Sequence, residues 1–96
     1  MKHYIAVIHK EADSAFGVSF PDVPGAIASA SSLDAALADA REALAFAAED
    51  WTSLAGAPFP PPRTLDALQG DSLFRERAID AIVAAVPLDI DVGKAA

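Results

Sequence analysis

A six-residue stretch with two prolines and a glycine, Phe20-Pro21-Asp22-Val23-Pro24-Gly25, constrains the fold more than any other part of the sequence. Each proline ring fixes φ at about −65° and biases the residue before it toward an extended backbone, whereas glycine permits a turn that other residues resist. The stretch therefore cannot be helical. We expect a rigid turn that holds one carboxylate and its apolar neighbours in a fixed position between two extended runs.

Short runs of β-branched and aromatic residues flank this turn. Residues 4–8 are apolar on both faces, as in an interior strand, and residues 15–20 alternate, with Phe16, Val18 and Phe20 on one face. These two runs predict an antiparallel hairpin. The small residues 26–30, between the turn and a helix start, predict a third strand.

A long amphipathic helix follows the third run. Ser31 and Ser32 offer an N-cap, and Asp34 in the first turn places a negative charge where the helix dipole favours it. Apolar residues then recur at spacings of three and four, as on one face of a helix: Leu33, Leu37, Ala40, Leu44, Ala47 and Trp51. We expect the helix to end before Gly56 and to pack this stripe on the sheet.

A proline-rich segment comes next, at residues 57–63, and its composition favours a stiff, extended crossing along the surface. Two short helical turns can follow it, one capped by Thr64 and one capped by Asp71 or Ser72. We otherwise expect the crossing to be irregular.

Residues 82–90 have an apolar side chain at every second position, which predicts a fourth strand. Because Pro87 has no N–H to donate, this strand should lie at an edge of the sheet. The order strand, strand, strand, helix, strand predicts an α+β fold, an antiparallel sheet with one long helix packed on one face.

Composition narrows the classes of function. The 96 residues suffice for one domain, and their formal charge of −7 opposes binding to a phosphate backbone. The same negative charge has two possible interpretations. It would speed association with a basic partner, or its role is only to keep an apolar domain soluble. The chain has no cysteine, no apolar run near the roughly 20 residues that span a bilayer, and no secretory signal at its start. We expect a cytoplasmic protein that does not bind membranes.

Residues for catalysis are scarce. The two histidines, His3 and His9, stand at opposite ends of the first predicted strand, roughly 20 Å apart, which is too far for a joint metal site. The order of elements resembles a truncated ribonuclease H-like fold, whose enzymes hold two Mg²⁺ ions, but the first strand contains no acid. We therefore expect no catalytic residue, no metal and no cofactor.

Five stretches have a recognisable order and spacing: residues 4–8, 17–25, 32–37, 40–44 and 62–65. Together they resemble the HicB-like antitoxin domain of bacterial type II toxin–antitoxin systems. We assign residues 1–91 to this domain and residues 92–96 to a tail. The resemblance implies a partial ribonuclease H-like fold without nuclease activity.

The resemblance also implies a partner. A HicB-like antitoxin binds a small basic HicA-like toxin, an mRNA-cleaving ribonuclease, covers its catalytic histidine, and forms homo-oligomers. Complete members bind DNA through a C-terminal ribbon-helix-helix or helix-turn-helix module. Residues 90–96 contain no such module, so we expect no nucleic acid binding through these 96 residues.

The toxin contact is expected at the turn and at two acids near the end of the last strand, Asp89 and Asp91. The turn residues are Phe20, Pro21, Asp22, Val23 and Pro24. Two of them, Phe20 and Val23, can instead belong to the core, and Asp22 either stabilises the turn or contacts a basic toxin. Two other functions stay open: a residual metal-dependent nuclease, and a stand-alone interaction or ligand-sensing domain.

Overall fold

The computed structural model describes residues 2–10, 15–54 and 58–88. These residues form, in chain order, β1 (His3–Lys10), β2 (Phe16–Ser19), β3 (Ile27–Ala30), α1 (Leu33–Leu54), α2 (Leu65–Gln69), α3 (Ser72–Arg77) and β4 (Ile82–Pro87). All the strand pairs are antiparallel, and the strand order in the sheet is β3-β2-β1-β4. The predicted α+β fold is confirmed.

Strand β1 lies in the interior of the sheet, as its apolar character on both faces predicts. Its residue Val7 is paired with Ser19 of β2 and with Val83 of β4. Strand β4 lies at one edge of the sheet, as the missing N–H of Pro87 predicts. Beyond Pro87, the N–H of Leu88 donates to the carbonyl of Lys2 at 2.7 Å, and the predicted extension of the strand to residue 90 lies partly outside the described residues.

Helix α1 packs its predicted apolar stripe on one face of the sheet. At the centre of that contact Ala40 and Leu44 of the stripe are fully buried, and so is Ala36, which the predicted stripe did not include. The small side chains of the two alanines let the helix lie close to the strands. The buried core on this face consists of Tyr4, Ala6, Ile8, Val18, Phe20, Val23, Ala26, Ala36, Ala40, Leu44 and Val86.

The opposite face of the sheet is covered in part by α2 and α3, where an irregular crossing was expected. Leu68 of α2 and Phe74 of α3 pack against Val7 of β1 and form a second, smaller core. Each short helix has the predicted cap: Thr64 Oγ1 accepts from the N–H of Ala67 at 3.1 Å, and Asp71 Oδ1 accepts from the N–H of Leu73 at 2.9 Å. Helices of five and six residues are too short to show a periodic apolar stripe, so their packing was not visible in the sequence.

The longest helix, α1, has 22 residues, which is enough to cross a bilayer, but it carries five carboxylates. Among the described residues, no helix combines the length and the apolar character that a membrane span requires.

Candidate functional site

The proline-containing stretch folds as two consecutive turns. The carbonyl of Phe20 accepts a hydrogen bond from the N–H of Val23, and the carbonyl of Val23 accepts one from the N–H of Ala26, each at 3.1 Å. Pro24 therefore stands at the second position of the second turn and Gly25 at the third, where its φ of +97° is the value that a type II turn requires. The predicted turn is confirmed, and its shape follows directly from its prolines and its glycine.

The turn divides its side chains between the core and the surface. Phe20 is 3% exposed and Val23 is 1% exposed, so both belong to the core that α1 covers. Pro21 is half-buried, and Pro24 and Gly25 are exposed. Among the apolar turn residues that were predicted to contact a partner, Pro21 and Pro24 are the ones whose surface is accessible to a partner.

Asp22 pairs within the chain, with Arg63 at the end of the proline-rich segment. One carboxylate oxygen accepts from the backbone N–H of Arg63 at 2.7 Å and the other accepts from its Nε at 2.6 Å. The Asp22 side chain is 8% exposed, against 42% for Arg63. Since both oxygens are engaged, Asp22 ties the turn to the segment that leads into α2.

The same guanidinium reaches a second carboxylate. Nη1 of Arg63 donates to Oδ2 of Asp71 at 3.1 Å, while the other oxygen of Asp71 caps α3. The hydrogen bond from Arg63, and after it the one from the N–H of Leu73, lower the pKa of Asp71, and partial burial opposes them. Arg63 thus connects the turn to the N-cap residue of α3, a link that the sequence did not reveal.

An aromatic cluster fixes the proline-rich segment from the other side. The Phe59 ring lies 5.7 Å from that of Tyr4 and 5.8 Å from that of Trp51, measured between ring centroids. The hydroxyl of Tyr4 donates to the carbonyl of Pro60. Burial, and after it the negative charge of Asp22, raise the pKa of Tyr4. The segment is therefore held at Pro60 and at Arg63, on both sides of its last prolines.

Two hollows flank the turn. The first, the α3 cleft, has a volume of about 220 Å³ and is lined by Phe20, Pro21, Pro24, Arg63, Asp71, Leu73, Phe74 and Arg77. The second, the α1 depression, has about 300 Å³ and is lined by Val23, Pro24, Gly25, Ala26, Ala47, Asp50 and Trp51. Pro24 borders both and so forms a ridge between two hollows, of which one lies below and the other at the lower limit of the volume of about 300–1,000 Å³ that ligand pockets have. Such relief suits the side chains of another protein.

Neither of the two histidines considered for catalysis lines the α3 cleft or the α1 depression. His3 is exposed, and Nε2 of His9 donates to the carbonyl of Arg77 at 2.6 Å, which joins β1 to the end of α3. Since a carbonyl can only accept, Nε2 must carry a proton. Within residues 2–10, 15–54 and 58–88, no three His, Cys, Asp or Glu side chains come together as a metal site would require. Asp89 and Asp91 lie outside the described residues.

Comparison with known proteins gives a consistent family. The protein-family model for the HicB-like antitoxin of bacterial toxin–antitoxin systems matches residues 4–95 of this chain. The crystal structure of the N-terminal domain of the Burkholderia pseudomallei antitoxin HicB is 25% identical, with a TM-score of 0.74 over 92% of this chain and 99% of that one. The structure of the Burkholderia pseudomallei antitoxin HicB is 28% identical, with a TM-score of 0.76 over 93% of this chain and 64% of that one.

A third similar structure belongs to a complex. A chain of the HicA3 and HicB3 toxin–antitoxin complex is 26% identical, with a TM-score of 0.70 over 91% of this chain and 98% of that one. A search of curated proteins finds no significant match.

Proposed function

The chain belongs to the HicB-like antitoxin family of bacterial toxin–antitoxin systems, and we propose that it neutralises a HicA-like, mRNA-cleaving ribonuclease by binding it. The similarity to a chain of the HicA3 and HicB3 complex supports this choice of partner. The antitoxin acts without catalysis of its own, as an obstacle placed over the active site of the toxin.

The observation that carries the proposal is the ridge at Pro24. An exposed proline stands between two hollows on a double turn, and that turn is anchored by the Asp22–Arg63 pair. A surface held in this way loses little conformational freedom on binding, so more of the contact energy appears as affinity. The binding surface consists of Pro21 and Pro24 with the rims of the two hollows.

Charge supports a basic partner. The formal charge of −7 steers a cationic protein toward the antitoxin and speeds their encounter. It also disfavours binding of nucleic acid by these 96 residues.

We further expect a cytoplasmic protein that forms homo-oligomers through the edges of its sheet. Sedimentation that shows only monomer at high concentration would contradict the homo-oligomer.

Co-expression tests the proposal. The chain is produced together with the product of a neighbouring reading frame that encodes a small basic protein, with cell growth and co-purification as readouts. We expect the pair to form a stable complex and growth to be restored. Absence of a complex together with absence of rescue would overturn the antitoxin role. Cleavage of RNA by the purified chain alone would favour the residual nuclease, and a small molecule retained through purification would favour ligand sensing.

A matched pair of variants tests the ridge. Pro24→Ala and Pro24→Arg both lose the proline ring, but only the second adds bulk and positive charge. We expect Pro24→Arg to weaken toxin binding at least tenfold relative to Pro24→Ala. Equal affinity of the two variants would remove Pro24 from the interface.

A further inference from the structure

Phe46 is a large aromatic residue that the fold leaves outside. The residue is 68% exposed, although it lies within α1. The buried positions of the helix, among them Ala40 and Leu44, face the sheet, and Phe46 projects from the opposite side. An alanine-rich helix needs no phenylalanine there for its own stability, because alanine is the better helix former.

Carboxylates surround this ring. Glu42 precedes Phe46 by four residues, and Glu49 and Asp50 follow it by three and four, the spacings that bring side chains together on a helix surface. Asp39 stands two turns before it on the same side. We name these five residues the Phe46 face. All of them are exposed.

The Phe46 face adjoins the candidate site. Asp50 belongs to the face and also lines the α1 depression, together with Pro24 of the turn. The acidic face and the Pro24 ridge are therefore two parts of one continuous surface. A protein that covers the ridge from the side of α1 also meets Phe46.

This inference rests on the proposed function, in which the protein that covers the ridge is a ribonuclease toxin. A ribonuclease holds its substrate with cationic side chains that contact phosphates, and single-stranded RNA also offers its bases for stacking. The Phe46 face has the complementary composition, several carboxylates around one aromatic ring. We propose that the Phe46 face docks on the RNA-binding surface of the toxin, with carboxylates in the places of phosphates and the Phe46 ring in the place of a base.

Phe46→Ala tests this docking. The change should leave folding intact, since the ring is exposed and alanine favours the helix. We expect the dissociation constant for the co-expressed toxin to rise at least tenfold. Ile79→Ala is the matched control, because Ile79 is 67% exposed and lies outside α1, two residues after the end of α3. Its affinity should stay within twofold of the unmodified chain.

Two further experiments test the carboxylates of the Phe46 face and the competition between RNA and the antitoxin for the toxin. In the double variant Glu42→Gln with Asp50→Asn, the dissociation constant should depend less steeply on salt concentration, because fewer ionic contacts form. A short 2′-O-methylated single-stranded RNA, which resists cleavage, should displace the antitoxin from the toxin.

The outcomes separate the two proposals. If the unmodified chain binds and neutralises the toxin but Phe46→Ala binds equally well, or the RNA and the antitoxin occupy the toxin together, the docking inference is overturned and the antitoxin role stands. If the unmodified chain does not bind the toxin, the proposed function itself fails.

Discussion

The carboxylate of Asp22 and the main chain of Arg63 are joined across 41 residues of sequence, with Oδ2 accepting the backbone N–H at 2.7 Å. The guanidinium of Arg63 completes the contact through Nε, at 2.6 Å from Oδ1. A bidentate contact of this kind fixes an orientation as well as a distance. It holds the end of the proline-rich segment against the turn, and the Pro24 ridge depends on it.

Replacing Asp22 by alanine should therefore lower stability. The variant loses both hydrogen bonds and leaves the Arg63 N–H without its acceptor, at a cost of about 1–2 kcal/mol in the free energy of unfolding. Asp22→Asn keeps one acceptor oxygen and should cost less. Urea denaturation followed by circular dichroism measures the order of the three proteins.

Asp39→Ala serves as the control for that series, because Asp39 is exposed on α1. Its free energy of unfolding should change by no more than about 0.5 kcal/mol. If Asp22→Ala kept full stability and lost only toxin affinity, Asp22 would be a contact residue and not an anchor of the turn.

The sequence was sufficient for elements whose signal is local. Two prolines and Gly25 specify the double turn, the three-and-four spacing specifies α1, and a run apolar on both faces marks β1 as interior. The choice of Phe20 for the core was left open, because alternation identifies a shared face but does not say whether another layer covers it.

Features that depend on distant parts of the chain could not be read in the same way. Nothing in the spacing of Asp22 and Arg63 indicates that they meet, since the contact requires the whole fold to return the proline-rich segment to the turn. The cover of the second sheet face depends on single residues, Leu68 and Phe74, in helices too short for a periodic pattern. Phe46 lies outside the apolar stripe in the sequence, but only the fold shows that it is exposed among the described residues.

Gly25 gives a prediction about backbone strain alone. A Cβ built on Gly25 meets no atom within 4 Å, so Gly25→Ala creates no clash. Its φ of +97° is nevertheless unfavourable for any residue with a Cβ. We expect a loss of about 1–2 kcal/mol in the free energy of unfolding. Gly70→Ala is a useful comparison because Gly70 has a φ of −83°, and this variant should lose less. Equal losses would exclude strain as the cause.

Tyr4 can be titrated directly because it is the only tyrosine of the chain. Ultraviolet absorbance of the phenolate should show ionisation above the ordinary pKa of 10.0, chiefly because the ring is buried and also because Asp22 is negative. In Asp22→Asn the pKa should fall only partway, since burial remains. A pKa at or below 10 in the folded chain would contradict the burial of the Tyr4 hydroxyl.

The same pKa sets a limit on stability in alkali. A raised pKa in the folded state means that the neutral phenol is favoured by folding, so this contribution is complete below the unfolded pKa of about 10 and is lost as the pH rises through the folded pKa. Tyr4→Phe has no proton to lose and should cost about 1 kcal/mol near pH 7 through the missing hydrogen bond. The stability difference between the two proteins should shrink above pH 10, as thermal melts measure.

Asp71 gives the corresponding prediction in acid. Its pKa lies below the ordinary value of 3.8, first because Arg63 donates to it and then because it caps α3. The stabilising contribution is therefore present above the unfolded pKa and disappears as the pH falls through the lower, folded pKa.

Asp71→Asn retains an oxygen that can cap the helix but has no charge to pair with Arg63. As the pH falls from about 5 through the lowered pKa of the folded state, the difference in unfolding free energy between the unmodified chain and Asp71→Asn should diminish. A difference that does not change with pH over that range would show that the guanidinium contributes nothing through the charge of Asp71.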